Sequence, residues 1–343
     1  MQLDGLTNNY LHTQAATSAE IPALSVGLPH VTDYDNGISA IDAGYFRTGL
    51  AAIHLIVEAG KAALVDTGTS SSVAGLMKIL HEKNIAPADV AYVFLTHIHL
   101  DHAGGAGEFM HRFPNAKLVV HPRGARHMAD PAKLVASATE VYGEAEFKRV
   151  YGVIRPVEAN RIIEAPNGFS LDFNGRPLLF LDTPGHARHH YCIFDKQSQS
   201  FFTGDTFGIS YREFDVNGME FVFPTTTPVQ FDPIAAHTSL DRLMAYNPSY
   251  AFLTHYGRIG HLPRHATEMH NLIDAHVLIA RKLHDAPNRH SALAEELGKL
   301  LLRRVIAHGC KLPEEEIRSL LSLDVRLNAQ GLEHWLDHAG GSG

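Results

Sequence analysis

The feature that most constrains this chain is the run Thr96-His97-Ile98-His99-Leu100-Asp101-His102. It follows an apolar segment, Val90–Leu95, whose composition is typical of a buried strand. Because residues i and i+2 of an extended chain point the same way, His97 and His99 converge on one point. Asp101 and His102 then face a second point as the chain turns. Imidazoles and a carboxylate this close would repel protons and leave ring nitrogens unpaired without a cation between them. The run therefore predicts a metal site, with a polar loop rich in histidine as the alternative.

Four further short motifs lie along the chain. They are Leu64-Val65-Asp66-Thr67-Gly68, Thr183-Pro184-Gly185-His186, Thr203-Gly204-Asp205-Thr206 and Leu253-Thr254-His255. With the histidine run, they resemble the ordered motifs of the metallo-β-lactamase-fold superfamily across about residues 37 to 260. The resemblance implies an α+β protein, a four-layer αββα sandwich whose ligands come from loops at one edge. Five motifs in the family's order are far more specific than any one of them alone.

The resemblance also implies a role for each ligand. His97, His99 and His186 would hold one metal, Asp101, His102 and His255 would hold the other, and Asp205 would bridge them. Asp66 matches a position where a carboxylate orients a ligand and raises its basicity. Five imidazoles and two carboxylates suit two divalent ions, with zinc as the first expectation and Fe, Mn, Co or Ni as others that fit.

This resemblance implies a hydrolase. Two metals ~3.5–4 Å apart lower the pKa of a shared water and polarise the oxygen of the substrate. Asp101 would also hold the resulting hydroxide and pass its proton to the leaving group. The motif arrangement looks like the branch of hydroxyacylglutathione hydrolases, lactonases and organophosphate hydrolases. Aspartate rather than cysteine at position 205 departs from the subclass B1 lactamases. We therefore expect a small ester, thioester, lactone or phosphoester as substrate.

Two other function classes share this scaffold. The first is an iron-dependent oxidoreductase, either a persulfide dioxygenase with one iron or a flavodiiron protein with two. The flavodiiron pattern usually has glutamate where this chain has His99, and no flavodoxin-like domain follows here. The second is a binding protein without turnover, which the complete ligand set disfavours. Metal analysis and the visible spectrum would separate the hydrolase from the oxidoreductase.

Aromatic residues near the motifs are candidate substrate contacts. Tyr45 and Phe46 lie in a loop between two predicted strands, and Phe207 and Tyr211 begin a long aromatic stretch after Asp205. Long irregular segments beside a predicted ligand are typical of a pocket wall. The alternatives are a plain surface turn for the first pair and a lid packed on its own core for the second. Tyr256 is a further candidate, although a structural role is the stronger expectation for it.

The pattern divides the chain into three parts. We expect an N-terminal arm over residues 1–30, a catalytic domain over residues 31–262 and a C-terminal helical extension over residues 263–343. Within the domain, residues 122–155 are expected to form a mainly helical insertion. In similar enzymes such insertions often roof the active site, so this one is a candidate specificity element. The spacing of apolar residues in the extension predicts four helices. The third starts at Pro313, and the last contains Leu332, Trp335 and Leu336. It could roof the pocket, mediate a homodimer or, with the weakest support, form a helix-turn-helix.

Charge and composition limit the partners. The net charge is −8, and no run of lysine or arginine is longer than Arg303-Arg304. Nucleic-acid binders normally show a concentrated basic face, so we expect neither nucleic acid nor an anionic membrane as partner. The longest apolar runs fall short of the ~20 residues of a membrane span. Two distant cysteines and a polar N-terminus without a secretory pattern predict a cytoplasmic protein that acts on a small molecule.

Overall fold

The computed structural model describes residues 28–339, apart from the side chains of residues 141, 142 and 339. Most of the predicted N-terminal arm therefore lies outside the described residues.

Two mixed sheets form the centre of the molecule. The first contains β1 (Val31–Asp33), β2 (Ile38–Asp42), β3 (Ala52–Glu58), β4 (Lys61–Val65), β5 (Val90–Phe94), β6 (Lys117–Val120) and β7 (Ile162–Glu164), in that spatial order. The second contains β8 (Ser170–Phe173), β9 (Arg176–Asp182), β10 (Tyr191–Asp195), β11 (Ser200–Gly204), β12 (Tyr250–Leu253) and β13 (Gly257–Ile259).

Strand direction explains where the motifs meet. Strands β4 and β5 are parallel, as are β11 and β12, and β9 points the same way as β11 because each is antiparallel to β10. The motif residues follow the carboxyl ends of these strands, which the parallel pairings bring to one edge of each sheet. A hydrogen bond from Tyr191 N to Thr96 O (2.9 Å) joins the two sheets at that edge.

Helices cover both outer faces. They are α1 (Ser72–Glu82), α2 (Leu100–Ala103), α3 (Ala106–Arg112), α4 (Pro122–Ala129), α5 (Ala132–Tyr142), α6 (Glu144–Tyr151), α7 (Pro233–Met244), α8 (Leu262–Lys282), α9 (Arg289–His308) and α10 (Glu314–Ala339). Between the sheets lies a core that includes Ile56, Phe94, Phe180 and Phe202. Two further cores pack helices against the outer faces. Helix, sheet, sheet and helix make up the predicted αββα sandwich, and a helical region completes the C-terminal part.

The amphipathic patterns explain these elements. Helix α1 buries Val73, Leu76 and Leu80, which recur at helical spacing. Strand β10 is buried along its whole length because it lies in the middle of the second sheet, covered on both faces. Helix α7 begins after Asp232, whose carboxylate accepts a hydrogen bond from Ala235 N (3.0 Å).

The C-terminal region departs from the prediction in one respect. The third and fourth predicted helices are a single helix, α10, of 26 residues. The segment Leu293–Gly298, on which the helix-turn-helix alternative rests, lies inside continuous α9. Strands β1 and β13, of three residues each, were also not predicted. Across residues 28–339, no helix combines the length and apolar character that a bilayer crossing requires.

Candidate metal centre

Four strand ends deliver the predicted ligands to one place. His97 and His99 follow β5, and helix α2 then turns the chain so that Asp101 and His102 face the same cluster. The loops after β9, β11 and β12 contribute the remaining three residues, which are His186, Asp205 and His255. All seven side chains lie within or beside groups whose ligand atoms are within 4.8 Å of one another.

One group consists of His97, His99 and His186. The Nδ1 atom of His99 lies 2.9 Å from His97 Nε2 and 2.9 Å from His186 Nε2. Three ring nitrogens therefore converge on one point, which is a geometry that a divalent cation satisfies. The side chains of His97 and His186 are buried, and that of His99 is half-buried.

The second group consists of Asp101, His102 and His255. His255 Nε2 lies 3.2 Å from Asp101 Oδ2, and His102 Nε2 lies 3.7 Å from the same oxygen. The other ring nitrogen of His255 donates a hydrogen bond to Leu50 O (2.7 Å), which leaves Nε2 for the cluster. Asp101 keeps 21% of its side chain exposed, so this side of the cluster opens to solvent.

Asp205 lies between the two groups. Its Oδ1 is 3.2 Å from His102 Nε2 and its Oδ2 is 3.4 Å from His186 Nε2. Among the described residues, His102 Nε2 and Asp205 Oδ1 are buried without a hydrogen-bond partner. A buried imidazole nitrogen and a carboxylate oxygen that face each other are costly unless a proton or a metal cation lies between them. The donor set therefore fits metal ions.

Asp66 holds His102 in position. Its carboxylate is fully buried and accepts a hydrogen bond from His102 Nδ1 (2.7 Å). It also accepts hydrogen bonds from Thr96 N (2.8 Å), Thr96 Oγ1 (2.9 Å) and Thr254 Oγ1 (2.7 Å). A carboxylate on Nδ1 fixes the tautomer whose Nε2 lone pair faces the cluster.

The two groups differ electrostatically. Burial lowers the pKa of His97 and of His99 well below the usual value, and neighbouring imidazoles lower it further. Burial opposes protonation of His102 too, but the carboxylates of Asp205 and Asp101 raise its pKa well above the usual value. The first group thus presents neutral nitrogen donors, and the second combines imidazoles with negative charge. Both are suitable environments for a divalent cation.

Two histidines near the cluster were missed by the sequence analysis. His190 is fully buried, its ring lies 4.9 Å from that of His97, and its Nε2 accepts a hydrogen bond from Asp205 N (3.2 Å). His189 lies with its ring 5.5 Å from that of His99. Their position directly after the His186 motif was the one available signal, and no ligand spacing distinguished them.

The candidate substrate contacts lie in different surroundings. Tyr45 Oη is 3.0 Å from Tyr151 Oη of α6, in the predicted insertion, and its ring packs edge-on against Phe46. Tyr211 donates a hydrogen bond to Asp324 of α10 (2.9 Å) and is buried. Contact of these residues with a substrate stays a prediction.

Phe207 and Tyr256 also pack inside the protein. Phe207 is 1% exposed and belongs to the core between the second sheet and the C-terminal helices, which favours the core alternative for it. Tyr256 is buried in a small cluster with Ala40 and Ala52, next to the last predicted ligand.

Glu220, His261 and His265 form a further group that could hold a metal. Here the carboxylate accepts hydrogen bonds from His265 Nε2 (3.2 Å) and Gly260 N (2.9 Å), with His261 Nδ1 3.3 Å away. These contacts already pair the Glu220 oxygens, so hydrogen bonding at the start of α8 accounts for the group.

Comparison with known proteins defines the family. Residues 47–255 match the sequence profile of the Metallo-beta-lactamase superfamily. The chain therefore belongs to the metallo-beta-lactamase superfamily. The solved structure of the superfamily protein ST1585 from Sulfolobus tokodaii has a TM-score of 0.59 and 23% sequence identity, covering 87% of this chain and 99% of that chain.

The curated relatives are distant. The metallo-beta-lactamase fold-containing protein ST1585 of Sulfurisphaera tokodaii is 28% identical over 65% of this chain and 79% of its own length. A hydroxyacylglutathione hydrolase of Synechococcus is 27% identical over 41% of this chain. A Homo sapiens acyl-coenzyme A thioesterase is 23% identical over 50% of it. The matches span only 45% and 63% of those two relatives.

Proposed function

We propose that this chain is a binuclear metal-dependent hydrolase that acts on a small ester, thioester, lactone or phosphoester. The observation that carries the proposal is the position of Asp205 between the two ligand groups. Its Oδ1 faces His102 Nε2 (3.2 Å) and its Oδ2 faces His186 Nε2 (3.4 Å). Relatives that are named hydroxyacylglutathione hydrolase and acyl-coenzyme A thioesterase support hydrolysis and make thioesters the first substrates to test.

The predicted ligands would hold two metal ions. His97, His99 and His186 would hold one ion, and Asp101, His102 and His255 the other, with Asp205 shared. Divalent ions in such sites, with zinc as the first expectation, lower the pKa of water toward neutrality and stabilise negative charge on a substrate oxygen. Asp66 keeps His102 in the tautomer that this requires.

Asp101 is the acid–base candidate. Its carboxylate is partly exposed and lies 3.2 Å from His255 Nε2. Asp101 would take a proton from the attacking water and return it to the leaving group. For a thioester, the water oxygen bonds to the carbonyl carbon, the carbon–sulfur bond breaks and the thiol leaves with that proton. The products are a carboxylic acid and a thiol.

A cytoplasmic location and a small-molecule substrate belong to the same proposal. Cys192 and Cys310 are both buried free thiols, which agrees with a reducing compartment. The net charge of −8 disfavours nucleic acid and anionic membranes as partners. The C-terminal helices remain the candidate surface for a homodimer.

Replacement of Asp205 tests the proposal. We expect Asp205→Ala to abolish hydrolysis across a panel of thioesters, lactones, aryl esters and phosphotriesters, assayed with Zn, Mn and Fe forms. Asp172→Ala is the matched control, because it removes one exposed carboxylate on β8 and should keep wild-type rates. Full activity and full metal content in Asp205→Ala would refute the binuclear site.

The alternative is an iron-dependent oxidoreductase on the same fold, and metal analysis separates the two. Protein purified without added metal would then contain substantial iron and consume oxygen on a persulfide. A hydrolase should instead turn over esters without oxygen consumption.

A further inference from the structure

An open cleft of about 320 Å³ lies beside the metal centre. Its lining is unusually cationic and polar. It includes Arg123, Arg126, His127, Arg188, His189 and Gln230. Two elements supply the arginines, since Arg123 and Arg126 lie on α4 and Arg188 follows the His186 motif. In a chain of net charge −8, three guanidinium groups around one cleft form a local positive site.

These guanidinium groups are available to a ligand. Within residues 28–339, none of the three forms an ion pair with a carboxylate, and all three side chains are exposed. Arg126 Nε donates a hydrogen bond to the neutral acceptor His127 Nε2 (3.2 Å). The carboxylate of Asp182, at the end of β9, lies 2.9 Å from His121 Nε2 and pairs with that histidine. Arginines elsewhere on the surface, such as Arg149 and Arg289, do have carboxylate partners.

The cleft is fixed to the metal loop. Gly124 of α4 packs so closely on Ile98 that a Cβ atom there would lie 2.7 Å from Ile98 Cγ2. Ile98 is the residue between the ligands His97 and His99, and its backbone N lies 3.5 Å from His189 Nδ1. On the far wall, Gln230 Oε1 accepts a hydrogen bond from Arg188 N (2.7 Å). A molecule in the cleft therefore lies next to the predicted reaction centre.

We propose that this cleft binds an anionic group of the substrate, a phosphate or a carboxylate, at a distance from the bond that is hydrolysed. Guanidinium groups bind both anions through paired hydrogen bonds, which gives direction as well as affinity. The inference rests on the proposed function, and it names the substrate class as acidic thioesters or esters. The cleft would position such molecules and favour them over uncharged ones of the same acyl group.

Kinetics with three thioesters of one acyl group test this inference. Coenzyme A supplies phosphates, glutathione supplies carboxylates, and N-acetylcysteamine supplies no charge. In the double variant Arg126→Gln/Arg188→Gln, we expect kcat/KM for an anionic thioester to fall on the order of 10- to 100-fold, mostly through KM. The uncharged thioester should change less than about twofold. Arg318→Gln, an exposed arginine on α10, is the control for a lost positive charge.

Calorimetric titration of free coenzyme A and free glutathione into the protein gives a second readout. Saturable binding that is lost in the double variant and kept in Arg318→Gln supports the cleft. Selective loss for coenzyme A identifies phosphate, and selective loss for glutathione identifies carboxylate. Equal losses on all three thioesters, or unchanged binding and unchanged anionic kinetics, overturn the inference. If the wild type hydrolyses none of the three, thioesters are not its substrates, and the titration alone decides the cleft.

Discussion

The substitution Asp66→Asn tests whether Asp66 fixes the tautomer of His102 that a metal ion requires. The wild-type carboxylate is fully buried and accepts one hydrogen bond from His102 Nδ1, two from Thr96 and one from Thr254. An asparagine is nearly isosteric, but it places an NH₂ group where an acceptor is required. If that group faces His102, the imidazole shifts its proton to Nε2, which then cannot bind a cation.

The expected magnitude follows from these contacts. Loss of a carboxylate that orients a ligand typically lowers metal affinity by about 10- to 100-fold. That range corresponds to roughly 1.4–2.8 kcal/mol of binding free energy. The effect should fall on the group of Asp101, His102 and His255, because Asp66 makes no hydrogen bond to His97, His99 or His186 in the described structure. The first group should keep its affinity.

Chelator competition titrations would measure both affinities. We expect wild type to release two equivalents of metal and Asp66→Asn to lose one of them at a 10- to 100-fold lower chelator concentration. Thr254→Val is the control, because it removes one donor to Asp66 and keeps the carboxylate on His102. Circular dichroism of both variants would confirm folding. If Asp66→Asn binds both equivalents as tightly as wild type, Asp66 does not set the tautomer of His102.

Two further predictions concern the fold. His54 is buried between Phe202 and Phe252, and burial lowers its pKa to about 4, whereas the unfolded chain titrates near 6.5. The free energy of unfolding should therefore fall as pH falls from 6.5 to 4, by about 3 kcal/mol from this residue. Urea unfolding of His54→Leu should show a correspondingly shallower pH dependence, and an unchanged slope would contradict the assignment. Separately, a Cβ atom at Gly331 of α10 would lie 1.6 Å from Thr226 O, so Gly331→Ala should destabilise the protein by about 1–3 kcal/mol or more in the same assay. Gly298→Ala in α9, where the nearest atom is 3.8 Å away, should instead gain up to about 1 kcal/mol, and equal effects of the two substitutions would refute the close packing.

The predicted ligands lie together because each of them follows a strand that ends at the same edge of the molecule. Val90 to Phe94 is an apolar run of strand length, and the residues after it carry the ligand types. Parallel pairing of β4 with β5 and of β11 with β12 then makes their carboxyl ends coincide. The histidine run predicted a metal site by itself, whereas the sandwich and the meeting of the other motifs at that site came from the resemblance to the family.

The surroundings of the cluster could not be predicted in the same way. An aromatic side chain such as Phe207 has the same sequence signature in a pocket wall as in a core, and only packing distinguishes them. Helix α10 is continuous through Asp324 and Asn328, residues that usually disfavour helix interiors. Asp324 accepts from Tyr211 (2.9 Å), and Asn328 pairs with Thr226 N (2.6 Å) and Pro224 O (3.0 Å). These partners lie about a hundred residues away in sequence, so no local pattern indicates them.

Anomalous diffraction from crystals of the metal-loaded protein would test the central claim most directly. The account predicts two peaks per chain, one enclosed by His97, His99 and His186 and one by Asp101, His102 and His255, with Asp205 between them. A single peak, or strong density only at Glu220, His261 and His265, would contradict it.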